Sequence, residues 1–111
     1  MQYALMIYAE PGRVEALSEA ERVAARAEFS ALAEGARIID DVELQPAETA
    51  TCVRVAGDRT LVTDGPFADT KEVLGGILLV EAGHLDEAIL AARIATDRLG
   101  GVVEVRPVVP H

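Results

Sequence analysis

The chain has no tryptophan, two phenylalanines, two tyrosines and one cysteine among its 111 residues. With so few aromatics, the core has to be built from Ala, Val, Leu and Ile. The single cysteine, Cys52, excludes an intramolecular disulfide and a cysteine-based metal cluster. It lies in an apolar strand-like run, where a thiol is ordinarily buried and inert. Basic residues are also few, ten against nineteen acids, for a net charge of −9. That leaves no basic stripe for a phosphate backbone, so nucleic acid and anionic membrane are poor partners. No apolar run approaches the ~20 residues of a membrane span. The opening "MQYALMIY" lacks the positive flank of a signal peptide, and a cytoplasmic protein is the expectation. Neither G-x-G-x-x-G nor G-x-x-x-x-G-K-S/T occurs. His84 and His111 have no metal-ligand spacing around them, and no Ser-His-Asp or Cys-His set stands out. No cofactor is implied.

What is present fits one domain over residues 1–111, half apolar and about a quarter charged. "QYALMIYAEPG" reads as a strand ended by Pro11-Gly12. Both of its alternating sets are apolar, Tyr3, Leu5 and Ile7 against Ala4, Met6 and Tyr8, so it belongs at the centre of a sheet covered on both faces. A helix follows, opened by the capping box Ser18-x-x-Glu21 and stopped at Gly35. Ala20, Val23, Ala24, Ala27 and Ala31 share one face, expected to lie close on a sheet. Ala25, Phe29 and Leu32 form a second stripe. "RIIDDVEL" is the next strand, and "TCVRVA" and "RTLVT" make a hairpin about Gly57-Asp58. "GGILLVEA" is a strand, with Gly75-Gly76 suited to a bulge or a close backbone approach at its start. The second helix runs over 85–99, with Leu85, Ala88, Ile89, Ala92, Ala95 and Leu99 on its apolar face, and Gly100-Gly101 ends it. "VVEVRPVV" closes the chain as a strand.

The order β-α-β, hairpin, β-α-β fits an α+β, ferredoxin-like sandwich with an antiparallel sheet and helices on one face. The first strand is apolar on its other side too, and a small protein cannot leave that surface in water. A homodimer packed sheet to sheet, an α+β barrel, is the economical solution.

One stretch, "TDGPFADTKEVLGG" over 63–76, concentrates the residues that can carry chemistry. Asp64 before Gly65-Pro66 is a turn former whose carboxylate can accept nearby backbone N–H groups. The same carboxylate can serve as a general base at the mouth of a barrel. Lys71 is either a solvated lysine, worth ~0–1 kcal/mol in a surface pair, or the cation that holds Asp64 ionised and binds a substrate oxygen. Phe67 plugs the core beneath the turn, walls a pocket, or reaches a partner. Tyr8, near the end of the first strand, can present its hydroxyl beside this loop, and Arg106 can add a cation from the last strand. The candidate ligand-binding set is thus Tyr8, Asp64, Gly65, Pro66, Phe67, Lys71 and Arg106, with Asp64 and Lys71 as catalytic candidates. His84 is a weak cap for the second helix, and His111 is expected to fray.

"VTDGPFADTKEVLGG" resembles the signature of the YCII-related family, in the branch called DGPF-domain proteins. "MQYALMIY", "TCVRVAGDRTLVTDG", "LDEA" and "VEVRPV" resemble that branch as well, so the likeness spans the whole chain. It implies a ferredoxin-like fold and a dimeric α+β barrel. Some branch members resemble proteins encoded beside extracytoplasmic-function sigma factors, which implies a link to a sigma-factor pathway. In the wider family, a dehydrochlorinase acting on a chlorinated hydroxyhydroquinone uses a His–Asp pair, its histidine soon after the first strand. Here that region reads "AEPGRVEALSEA" and has no histidine, so that chemistry does not carry over. Two functions stand as expectations: a small-ligand-binding or regulatory homodimer, and a cofactor-independent lyase or isomerase using Asp64 and Lys71.

Overall fold

The computed structural model describes residues 1–32 and 35–110. In chain order the elements are β1 (Gln2–Ala9), α1 (Glu19–Leu32), β2 (Ala36–Glu43), a 3-10 turn (Ala47–Thr49), β3 (Thr51–Ala56), β4 (Arg59–Asp64), β5 (Val73–Ala82), α2 (Leu85–Leu99) and β6 (Val102–Pro107). Four strands form one antiparallel sheet in the order β2-β5-β1-β6, while β3 and β4 pair only with each other. This is a mixed α+β fold with antiparallel sheets and two helices, an arrangement compatible with a ferredoxin-like sandwich. The expected fray of the C-terminal His111 and the side chain of Leu32 lie outside the described residues.

The alternation in β1 sorts the sheet's two faces. Tyr3, Leu5, Ile7 and Ala9 are buried on the helix side, and Leu5 and Val80 are fully enclosed. Register places Leu78 and Val80 of β5 and Val103 and Val105 of β6 on the same side. Phe29, Ala88, Ala91, Ala92 and Ile94 close the core from the helices. On the open side lie Ala4, Met6 and Tyr8, flanked by Leu74, Ile77 and Leu79 and by Val102, Glu104 and Arg106. Among the described residues no helix covers that side, so the second layer expected from the sequence is not supplied by them. Gly75 is the extra residue of a bulge in β5, since Ile7 faces Gly76 while Tyr8 faces Leu74. The expected bulge is therefore present.

α1 buries the second of its two stripes instead of the alanine face, and α2 buries the expected face only in part. In α1, Ala20, Val23, Ala24, Ala27 and Ala31 are exposed, and Ala25 and Phe29 turn inward on the opposite side. Burying one phenylalanine removes more apolar area from water than an alanine row does, and this fixes the rotation. The capping box forms as drawn, with Glu21 N–H donating to Ser18 Oγ at 3.1 Å and Ser18 N–H to Glu21 Oε1 at 3.4 Å. In α2, Ala88, Ala91, Ala92 and Ile94 are buried, whereas Leu85 and Ile89 are exposed. The three alanines let α2 lie directly on the sheet, which leaves the larger side chains at its margins. His84 stands at the N-cap with no side-chain capping bond, and Gly100 ends the helix with its N–H on the Thr96 carbonyl at 2.7 Å.

The β3–β4 hairpin stands apart. Its two-residue connection is Gly57-Asp58, as the sequence indicates. Val53, Val55 and Val62 fall on one side of the ribbon and are 65%, 70% and 61% exposed. The radius of gyration, 15.6 Å, exceeds the about 13 Å of a compact domain of this length, in keeping with a projecting arm.

Candidate functional site

The 63–76 stretch begins at the end of β4 and returns to the main sheet in β5. Gly65 turns the chain with a φ of 97°, a conformation that disfavours any side chain. Its N–H donates to the Ala50 carbonyl at 2.7 Å, and its own carbonyl accepts the half-buried Cys52 thiol at 3.2 Å. The base of the arm is thus tied across both of its strands. Asp64, facing Thr51, is exposed. Phe67 is 83% exposed, and the Arg54 guanidinium lies 5.9 Å from its ring centroid. The core-plug role expected for Phe67 is therefore corrected: the arm leads away from the sheet, and no core lies beneath the ring. Lys71, the chain's only lysine, is also in solvent, and its Nζ is 3.6 Å from Glu10 Oε1. Tyr8 is half-buried on the open sheet face, and Arg106 shares that face four register steps away, paired with Glu104. Within one chain the seven candidates therefore fall into two groups, the loop residues and the open-face pair. A shallow cleft of ≈ 190 Å³ at the end of β1 is lined by Glu10, Pro11, Val14, Pro46, Val73 and Leu74, and by none of the seven.

The larger space lies beneath α1. It measures ≈ 370 Å³ and is walled by Ile7, Phe29, Ile38, Leu78, Ile94 and Leu99, with Ala25 and Ala95 facing it from the two helices. The cause is in the residues of β2. Register puts Asp41 and Glu43 on the helix side of this edge strand, beside Leu78 and Gly76. Inward-pointing charges of this kind blunt an edge strand, and they need cations. Arg22 pairs with Glu43 and Arg26 with Asp41, while Arg98 of α2 pairs with Glu28 of α1. Arg22 further donates to the carbonyls of Val14 at 3.1 Å and Leu17 at 3.3 Å, fixing the segment that leads into α1. Arginine–carboxylate pairs bridge α1 to β2 at the margin, and Phe29 of α1 joins the core to which Ile38 of β2 also packs. Phe29 alone fills the gap from above.

The YCII-related domain matches the chain over residues 1–111. This chain belongs to the YCII-related family. It is 34% identical over 113 positions to an uncharacterised protein of Rhizobium meliloti (strain 1021), covering 96% of this chain and 91% of that one.

In this YCII-related chain, sequence reasoning missed Arg22, Arg26 and Arg98 as a group. Their spacing on two helices reads as ordinary surface charge. The signal that points to them is the acid pair Asp41 and Glu43, two residues apart on a strand and hence on one face, which requires partners on the layer above. No described helix is long and apolar enough to cross a membrane, and no cluster of metal-ligating side chains occurs among the described residues.

Proposed function

We propose that this YCII-related protein is a small-ligand-binding homodimer of regulatory type, a member of the DGPF branch, with its ligand in the cavity beneath α1. The observation that carries the reading is that cavity. It falls in the about 300–1,000 Å³ range of small-molecule sites, and its mainly apolar walls with a few polar groups at the rim have the usual composition of one. The dimer has its own support. The open face presents Ala4, Met6, Tyr8, Ile77 and Leu79 with no layer over them, and the arm presents Val53, Val55 and Val62. A two-stranded ribbon is marginal in water without a surface to pack on, and a second copy supplies one. Sheet-to-sheet pairing would turn the ferredoxin-like sandwich into an α+β barrel and bring Tyr8 and Arg106 into its interior.

A thermal-shift screen against phenolic and carboxylate metabolites tests the binding. At least one is expected to raise the melting temperature of the wild type but not of Ala25→Phe, which fills the cavity. A screen in which every stabilising compound acts equally on both proteins contradicts the reading. Sedimentation is expected to give a dimer at micromolar concentration, and a stable monomer there contradicts the assembly.

A further inference from the structure

Building on the cavity reading above, we infer that the space beneath α1 takes a neutral, largely apolar molecule and discriminates against anions, each of the three arginines at its rim being paired with a carboxylate. Three guanidinium groups at a cavity mouth suggest an anion site on first sight. Here each is already committed: Arg22 to Glu43, Arg26 to Asp41, Arg98 to Glu28. An anion drawn to one of these guanidinium groups meets the paired carboxylate at close range, in a chain whose net charge is −9. A cation meets the mirror-image difficulty with the guanidinium. Only an uncharged guest leaves the rim intact.

Two fluorescent probes with the same ring body separate the alternatives: neutral N-phenyl-naphthylamine and its sulfonated analogue, anilinonaphthalene sulfonate. Titrated into the full chain, the neutral probe is expected to bind saturably, about ten-fold or more tighter than the sulfonate. Ala25→Phe, on the α1 wall, is expected to weaken the neutral probe by about ten-fold or more in a protein that circular dichroism shows to be folded. Ala95→Leu, from the α2 wall, provides the same test if the first variant does not fold. Equal or tighter binding of the sulfonate overturns the inference, as does neutral-probe binding that both fillings leave unchanged or that Met6→Glu on the open sheet face abolishes. Absence of binding by either probe also overturns it. The cavity reading itself survives any of these results if a metabolite still stabilises the wild type and not the filled variant.

Discussion

Gly101 directly precedes β6, where the chain passes the end of β1. A methyl group there would lie 1.8 Å from the Tyr8 carbonyl oxygen and 2.9 Å from its carbon. Both are backbone atoms of a central strand and cannot rotate away. Gly65 is a glycine for the other reason: its φ is 97°, but nothing lies within 4 Å of an added carbon. Gly101→Ala is accordingly expected to cost about 3 kcal/mol, the upper part of the overpacking range, and Gly65→Ala about 1–2 kcal/mol of left-handed strain. Urea unfolding of the two variants checks the order. Equal losses would mean that the β1–β6 contact is looser than described. Sequence reading placed Gly101 at a helix end and saw nothing of this contact, because Tyr8 and Gly101 are brought together only by the sheet.

At the scale of elements, much was legible. The eight strands and helices, the Gly57-Asp58 turn, the Ser18–Glu21 box and the Gly75 bulge follow from period, caps and turn residues, all of them local. Which face a helix buries is not local, and there the reading failed for α1 and held in part for α2. α1 carries two apolar stripes, so its period alone cannot choose between them; the larger Phe29 chooses the buried one. Val23→Lys is therefore expected to change stability by less than about 0.5 kcal/mol, as for a surface site. Phe29→Ala should cost about 3 kcal/mol, the low end for phenylalanine because the cavity already borders it. The reverse order in thermal unfolding would restore the alanine face as the buried one. In α2 the weak point is the cap. His84 has the extended backbone of an N-cap, with φ −157°, but no capping bond. Serine supplies one without adding charge beside Asp86 and Glu87. His84→Ser should gain about 0.5–1 kcal/mol, and an unchanged or lower denaturation midpoint would show that the His84–Glu87 contact, 3.3 Å between Nε2 and Oε1, matters more than the missing cap.

For the whole molecule, the sequence pointed to the 63–76 loop as the place of interest, and the structure adds a second place. The loop was conspicuous because its polar residues interrupt apolar runs. The cavity was invisible because it is a gap between a helix and a strand, and no residue type announces a gap. The loop residues and the exposed valines of the arm share another property: within one chain they have almost nothing to touch. A partner subunit supplies those contacts in the proposed dimer. Leu79→Glu, at the middle of the open face, is expected to convert the dimer to a folded monomer, because a carboxylate buried at a sheet-to-sheet contact goes uncompensated. A dimer unchanged in sedimentation by this substitution would move the interface elsewhere, the arm being the next place to look.

Where a small molecule binds is the question that decides most. Nitrogen–proton correlation spectra of the full chain, recorded during titration with N-phenyl-naphthylamine and separately with anilinonaphthalene sulfonate, answer it directly. The expected result is that the bound probe shifts the amide resonances of Ala25, Phe29, Ile38, Leu78 and Ile94 and leaves those of Asp64, Phe67 and Lys71 in place. Shifts confined to the 63–76 loop, or cavity residues that neither probe moves, would contradict a ligand site beneath α1.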